Sequence, residues 1–174
     1  MSTACAKSGG SCGGRASLSG FVYVAFVIDA YARRIVGWRV SRSAHAGFVL
    51  DALEQAIHDR KPVSGCGIVH HSDRGVQYVS IKYTERLAEA GLVPSVGSVG
   101  DSYDNALAET INGLYKAEVI HRPWRTLEAV EYATLVWVDW FNNRRLLEPI
   151  GHVSRAEAEA AYYRELEERT PIAA

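Results

Sequence analysis

The pattern of apolar and polar residues divides the chain into a strand-rich first half and a helical second half. From Phe21 the run FVYVAFVIDA is almost continuously apolar and rich in β-branched and aromatic residues. Such a run predicts a strand that is covered on both faces. The run IVGWRVS follows after a short turn and predicts an antiparallel partner. GIVHH and LVPSV predict two shorter strands, and Pro94 confines the last one to an edge of the sheet or to its own end.

A helical period appears in four places. Apolar residues recur at helical spacing over 44–59, from about 80 to Gly91, and over 126–142. Gly91 occupies the position just after the end of the second helix. A last helix over 155–169 opens on Ser154 and Glu157, which have the spacing of a capping box. Strands first, then alternating strands and helices, then helices predict a mixed α/β domain.

A glycine- and serine-rich stretch, Gly97 to Tyr103, predicts a mobile loop before a further helix. Asp104 or Asn105 would cap that helix. Residues 1–20 contain glycine, serine and alanine without either period, which predicts a flexible segment. We therefore divide the chain into this segment, a core over 21–145 and a helical tail of the same domain over 146–174.

Composition and charge narrow the class of protein. With 48% apolar and 22% charged residues, the 174-residue chain is typical of one soluble globular domain. It has no apolar run of membrane-spanning length and no leader pattern at its start, so we expect a cytoplasmic protein. The net charge of −1 means that any affinity for DNA has to come from local basic patches. Three cysteines without paired spacing indicate neither a disulfide framework nor a zinc site.

Two acidic residues, Asp73 and Glu109, are candidates for a catalytic site. Asp73 follows a short strand, at the carboxyl edge where open α/β sheets place their sites. Glu109 lies on a helix and shares its face with Asn105, Asn112 and Lys116. Taken singly, an aspartate at position 73 is also typical of a turn. The polar face that contains Glu109 is likewise typical of a helix surface in contact with solvent.

The segments HSDRGVQY and DSYDNALAETINGLYKAEV resemble the second and third catalytic blocks of DDE transposases and retroviral-type integrases, and most of all those of bacterial insertion-sequence transposases. FVYVAFVIDAYARRIVGWRVS and WFNNRRLLEPIGHVSRAEAEAAYY resemble the same family. The resemblance implies a ribonuclease-H-like fold, a mixed five-stranded sheet flanked by helices with further helices at the C-terminal end. It also implies three acidic residues that hold two Mg²⁺ or Mn²⁺ ions for phosphodiester cleavage and strand transfer.

The resemblance also assigns roles to residues. Asp73 would be the second acid and Glu109 the third, both of them catalytic and metal-binding. Lys116 would contact the DNA backbone, and Asn105 and Asn112 share its face, although Asn105 and Asp104 also fit a capping role. Two basic clusters could follow DNA or could be ordinary solvated surface: Arg33 and Arg34 with Arg39 and Arg42, and Arg144 and Arg145 with His152. His70 and His71 point to opposite faces of a strand, which argues against a shared zinc ion.

The chain departs from the family at the first acid. The resemblance places that aspartate at Ser11, on the strand before FVYVAFVID, yet no acidic residue precedes Asp29. We therefore expect the first, central strand to be degenerate or missing and the reading frame to be truncated or shifted at its start. The expected function is a transposase catalytic core with impaired activity. DNA is the expected partner, with a second copy or another transposase polypeptide, and the protein would associate with the nucleoid when bound to DNA.

One alternative stays open. The chain would then be a catalytically inactive DNA-binding or assembly module that inhibits an intact transposase. A general ribonuclease-H-like nuclease fits less well, because the segment from WFNNRR onward resembles the transposase tail specifically.

Overall fold

The computed structural model describes residues 2–8, 21–62, 68–72, 81–96 and 101–169. Five strands form one mixed sheet: β1 (Ser2–Ser8), β2 (Val22–Asp29), β3 (Arg34–Ser41), β4 (Val69–Ser72) and β5 (Val93–Val96). Their order is β3-β2-β1-β4-β5. The first three strands are antiparallel, whereas β4 is parallel to β1 and β5 is parallel to β4. The mixed five-stranded sheet predicted from the sequence is confirmed, with Pro94 on its edge strand.

Helices follow the strands as the sequence pattern predicts. They are α1 (Ala46–Arg60), α2 (Ile81–Glu89), α3 (Asp101–Tyr115), α4 (Leu127–Asn143) and α5 (Arg155–Arg169). A π-helical turn, Lys116–Ile120, continues α3. A two-stranded ribbon of β6 (Leu146–Leu147) and β7 (Val153–Ser154) leads into α5. In the described part of the chain, no helix combines the length and the apolar character that crossing a membrane requires.

Both faces of β2 are covered, which explains its continuous apolar run. Val24, Phe26 and Ile28 belong to a core cluster formed with α3, the π turn and α4. Ala25 and Val27 belong to a second cluster formed with α1 and α2. Because successive strand residues point to opposite faces, a strand between two helical layers needs apolar residues at every position.

The central strand corrects one prediction. Residues 1–20 were expected to be flexible and the first strand degenerate or missing, but Ser2–Ser8 forms β1 between β2 and β4. The small residues of STACAKS have weak strand preference. The two neighbouring strands nevertheless present backbone groups that need partners, and this tertiary requirement outweighs local propensity. Ser11, the position expected for the first acid, lies outside the described residues.

Helix ends confirm two sequence signals. Ser154 and Glu157 form the capping box at the start of α5: the Ser154 amide donates to Glu157 Oε2 at 2.8 Å, and the Glu157 amide donates to Ser154 Oγ at 3.2 Å. Gly91 ends α2 with a φ of 68°, in the left-handed region that favours glycine. The Leu92 amide then donates to the Leu87 carbonyl at 2.9 Å, and this pattern closes the helix.

Long-range contacts fix the edge strand β3. At Gly37 the backbone of α1 comes so close that a Cβ atom would lie 2.0 Å from the Ala52 carbonyl oxygen. At Ile35 the buried side chain of Asn142 bonds both backbone groups: the Ile35 amide donates to Oδ1 at 3.0 Å, and Nδ2 donates to the Ile35 carbonyl at 2.8 Å. The edge strand is therefore held by one helix on its face and by another along its open side.

An ion-pair network ties α5 to the sheet. Glu159 of α5 accepts a hydrogen bond from Arg34 at 2.7 Å and pairs with Arg60 of α1. Arg60 also pairs with Asp29 at the end of β2, at 3.0 Å. The acidic neighbours raise the pKa of Arg60 despite the opposing effect of burial. This network connects α5 directly to β3 and α1, and through Arg60 to the end of β2.

Candidate functional site

Glu109 lies on the outward face of α3. The inward face of this helix buries Ala108, Ile111 and Tyr115 in the core cluster that contains Phe26. The Glu109 side chain is exposed, as the helical period of the apolar residues predicts. The sequence thus leads correctly to a carboxylate that is open to solvent on a helix packed against the sheet.

Tyr115 anchors α3 one and a half turns beyond Glu109. Its ring packs edge-on against Phe26 at 5.0 Å and against Trp137 at 5.2 Å. Its hydroxyl oxygen lies 2.7 Å from Thr134 Oγ1 of α4. Burial raises the pKa of Tyr115 to about 12, so the phenol stays protonated at neutral pH. These contacts give the Glu109 helix a rigid base.

The polar residues predicted to accompany Glu109 have different surroundings. Asn112 is half-buried, and its Oδ1 atom has no hydrogen-bond partner among the described residues. Lys116 is half-buried and begins the π turn. The backbone of Asn105 lies in α3, but its side chain lies outside the described part of the structure. Their predicted contacts with DNA remain predictions.

The start of α3 corrects a capping prediction. Asp104 and Asn105 were expected to cap this helix, but α3 begins at Asp101, so both residues lie inside it. The predicted loop Gly97 to Tyr103 is correspondingly shorter at its end, since Asp101 to Tyr103 are helical. Serine, asparagine and aspartate favour both caps and turns, and several in succession left the first helical residue undetermined from sequence.

The second candidate, Asp73, lies outside the described residues. The strand before it is firmly placed: His70 on β4 is buried, and its Nε2 lies 2.8 Å from the hydroxyl of Tyr83 on α2. His71 is half-buried, as alternation along a strand predicts. The His70–Tyr83 contact fixes β4 on α2 three residues before Asp73.

Burial of His70 leads to a pH-dependent stability. Desolvation, its largest cause, lowers the pKa of His70 to about 3 from the ordinary 6.5. The folded protein therefore excludes a proton that the unfolded chain binds below about pH 6.5. The free energy of unfolding should be highest above this pH and should fall as the pH decreases toward 3, by up to about 1.4 kcal/mol per pH unit. Urea unfolding at a series of pH values measures this slope.

A matched pair of variants assigns the slope. His70→Gln keeps a partner for the Tyr83 hydroxyl and removes the titration of residue 70. The plot of its unfolding free energy against pH should therefore be shallower than that of the wild type, by the amount that corresponds to the uptake of about one proton. His58→Gln alters an exposed histidine on α1 and should leave the slope unchanged. Equal slopes in wild type and His70→Gln would show that other groups cause the pH dependence.

The predicted basic residues fall into two groups. Arg33 is exposed, with a φ of 54°, and the side chain of Arg144 is 74% exposed with its nearest carboxylate, Asp139, 3.8 Å away. Arg34 is half-buried and bound to Glu159 at 2.7 Å. Arg145 donates to Glu118 at 3.3 Å. Arg33 and Arg144 are thus open to solvent, whereas Arg34 and Arg145 are held by carboxylates of this chain.

Two charged side chains with specific contacts were not predicted from the sequence. Glu118, in the π turn, accepts hydrogen bonds from Trp137 at 2.6 Å and from Arg145. Arg155 begins α5 and is buried against Phe141. Charged residues are seldom buried, and neither has a local sequence signal that distinguishes it from a solvated charge.

Comparison with known families decides what kind of core this is. The Integrase core domain family matches residues 5–102, and a second Integrase core domain family matches residues 90–153. The first match alone takes in more than half of the 174 residues. The chain belongs to the integrase core family.

Relatives of this integrase core are transposases of bacterial insertion sequences. It is 67% identical over 145 residues to the transposase for insertion sequence element IS629 of Shigella sonnei, over 83% of this chain and 48% of that protein. It is 61% identical over 150 residues to a putative transposase for IS986/IS6110 of Mycobacterium tuberculosis, over 83% of this chain and 54% of that one. The chain thus spans about half the length of these relatives. The predicted assignment to a DDE transposase or integrase core is confirmed.

Solved structures show the same fold at low sequence identity. The catalytic core domain of HTLV-2 integrase, determined in complex with magnesium, superposes with a TM-score of 0.61 at 13% identity, over 90% of this chain and 94% of that one. The catalytic core domain of BIV integrase superposes with a TM-score of 0.58 at 14% identity, over 93% and 97%. The ribonuclease-H-like architecture is therefore confirmed.

The integrase core family implies a divalent metal, and its donor set can be tested here. Within the described ranges, no three His, Cys, Asp or Glu side chains lie close enough together to hold a metal ion. Glu109 is an exposed carboxylate, the oxygen donor that Mg²⁺ prefers. The described strand β1 contains no acidic residue. Glu109 therefore fits a metal ligand, and Asp73 is the second candidate by sequence.

Proposed function

We propose that this chain is a DNA strand-transfer core whose catalysis is impaired by the absence of one carboxylate. The observation that carries the proposal is β1: the central strand of the sheet is present, and its seven residues, STACAKS, include no acid. Bacterial insertion-sequence transposases among its relatives support DNA as the substrate. Glu109, with Asp73, supplies the remaining carboxylates of the proposed site.

Each proposed group has a physical role. A pair of divalent ions, when bound, stabilises charge on the entering and leaving oxygens of a phosphodiester. Asp73 and Glu109 would hold these ions through hard carboxylate oxygens. Two carboxylates neutralise less of the cation charge than three and leave more of each ion's position undetermined. We therefore propose weak Mg²⁺ or Mn²⁺ binding and slow strand transfer.

DNA would lie along the outward face of α3. Lys116 would place its ammonium near a backbone phosphate two turns beyond Glu109, and Asn105 and Asn112 would add neutral hydrogen bonds. Of the arginines, the exposed Arg33 and Arg144 are the better candidates for phosphate contacts. Arg34 and Arg145 would first have to break their bonds to Glu159 and Glu118 before they could bind a phosphate.

Strand transfer with purified protein and Mn²⁺ tests the proposal. We expect low activity in the wild type and at least a tenfold gain on introducing an acid into β1, by Ala4→Asp, since one well-placed catalytic group contributes about 100-fold or more. Ala4 is chosen because it pairs with Phe26, a core residue beneath α3. Glu109→Gln or Asp73→Asn in the Ala4→Asp background should remove the gain.

Glu85→Gln is the matched control, since it neutralises an exposed glutamate on α2 and should leave activity unchanged. Full wild-type activity that survives Glu109→Gln would contradict the proposed site. Equal activity in wild type and Ala4→Asp would show that the missing carboxylate is not what limits the rate.

The same feature of β1 favours a second candidate, an inactive module that binds DNA or joins an assembly. We propose that such a module would act with a second copy or with an intact transposase polypeptide. Its signature is DNA binding without strand transfer in every variant, Ala4→Asp included. Added to an intact related transposase, it should lower the activity of that enzyme in proportion to its concentration.

A further inference from the structure

Arg155 is a buried cation at the junction of α4 and α5. The residue is 5% exposed, and its guanidinium carbon lies 3.8 Å from the centroid of the Phe141 ring. Nη1 donates to the Phe141 carbonyl at 3.0 Å. The Phe141 ring also stacks on Trp137, with centroids 5.0 Å apart and planes at 25°. The guanidinium is therefore fixed on an aromatic platform, with its orientation determined by a backbone bond.

Among the described residues, the Arg155 side chain has a hydrogen bond from Nη1, to the Phe141 carbonyl. Its Nε atom is buried and has no hydrogen-bond partner there, and no carboxylate within the described ranges lies at ion-pair distance. Two half-buried arginines differ, since Arg60 pairs with Glu159 and Arg86 with Glu54. Glu157, two residues away, is turned to the Ser154 amide. A buried charge without a counter-ion is costly. A bound anion would lower this cost by neutralising the charge of Arg155.

Further positive charge surrounds Arg155. The guanidinium of Arg145, which also pairs with Glu118 at 3.3 Å, lies 5.9 Å from the centroid of the same Phe141 ring. Arg33 lies in the turn before β3, and this turn is held next to the α4–α5 junction by two contacts, Ile35 with Asn142 and Arg34 with Glu159. Burial first, and then repulsion by Arg145 and Arg33, lower the pKa of Arg155 to about 10. At neutral pH Arg155 remains a cation.

We propose that Arg155, Arg145 and Arg33 form a binding site for a phosphate group, filled by a phosphate of the DNA backbone. A guanidinium with free N–H groups matches phosphate oxygens in geometry and charge. Stabilising the end of α4 requires only the Nη1 bond to Phe141. That role does not involve the buried Nε atom or the positive charge of the neighbouring Arg145. The choice of DNA as the source of the phosphate rests on the proposed function.

Inorganic phosphate is the first probe. At equal ionic strength, replacing chloride by phosphate should raise the thermal unfolding midpoint of the wild type by about 3 °C. Arg155→Met keeps an unbranched side chain over Phe141 and should lose this rise. Arg33→Asn should reduce it, and asparagine tolerates the φ of 54° at this exposed position. Arg39→Met removes an exposed arginine paired with Asp51 and should keep the full rise.

The outcomes separate clearly. A rise of equal size in Arg155→Met and the wild type, or none in the wild type, would overturn the site. If Arg155→Met does not fold, Arg33→Asn decides, since its side chain is exposed: an undiminished rise would overturn the site.

Duplex DNA is the second probe and identifies the source of the phosphate. For each variant, Arg155→Met and Arg33→Asn, we measure the slope of log affinity against log salt concentration. Each slope should be shallower than that of the wild type by about one, as expected for the loss of one phosphate contact. Unchanged slopes with intact DNA binding would overturn the site and leave the proposed function standing. A phosphate effect without any DNA binding by the wild type would support the anion site and contradict the proposed function.

Discussion

Gly37→Ala is expected to destabilise the protein by about 3 kcal/mol, the upper part of the range for overpacking. The added Cβ would lie 2.0 Å from the Ala52 carbonyl oxygen and 3.1 Å from the Ala56 amide nitrogen. Both are backbone atoms of α1, so no side chain can rotate away, and α1 has to move off β3. Against a total stability of roughly 5–15 kcal/mol, such a loss is a large fraction. Urea unfolding followed by circular dichroism measures it.

Gly113→Ala is the control for Gly37→Ala. No atom lies within 4 Å of a Cβ at Gly113, and this position is on the exposed side of α3. Alanine favours the helix over glycine by about 0.5–1 kcal/mol, so this variant should be slightly more stable than the wild type. A neutral Gly37→Ala variant would mean that α1 and β3 are less closely packed than described.

Asn142→Leu should cost about 2–4 kcal/mol, although leucine has the same number of side-chain heavy atoms and the same branching at Cγ. Asn142 lies in the last turn of α4 and is 6% exposed. Its amide bonds both the N–H and the C=O of Ile35 on the open side of the edge strand β3. Leucine would leave two buried backbone groups without partners, each at a cost of about 1–3 kcal/mol. The same urea unfolding experiment measures the loss.

The adjacent asparagine provides the control. Asn143 is exposed and bonds the Asp139 side chain at 2.8 Å, so Asn143→Leu should change stability by less than about 0.5 kcal/mol. Similar losses for the two variants would indicate that helix propensity dominates and that the contact with Ile35 contributes little.

Local sequence signals were sufficient for most elements. The doubly covered β2, the edge strand with Pro94, the end of α2 at Gly91 and the capping box of α5 all follow from periodicity or capping chemistry. Glu109 belongs with them, because the buried positions of α3 determine which side of the helix faces solvent. Signals of this kind come from within a few residues of the element that they define.

Features that depend on distant partners were not predictable in the same way. β1 has poor strand residues and forms a strand because β2 and β4 flank it. In the sequence Asn142 is one of two adjacent asparagines. Its hydrogen bonds to the backbone of Ile35 join residues 107 positions apart. Arg34 was read as a DNA contact, and its bond to Glu159 could not be foreseen from the sequence around it. The role of Asp73, which lies outside the described residues, remains a prediction.

The bond between Arg34 and Glu159 joins residues 125 positions apart, and this separation bears on how the protein is made. A ribosome adds the residues of β3 long before those of α5. During that interval Arg34 and Arg60 have Asp29 and Asp59 as acidic neighbours, without Glu159. A contact of such long sequence separation requires a large loop to close, which costs chain entropy and slows its formation. α5, which is synthesised after β2, β3 and α1, therefore supplies the carboxylate that completes charge neutralisation around Arg34 and Arg60.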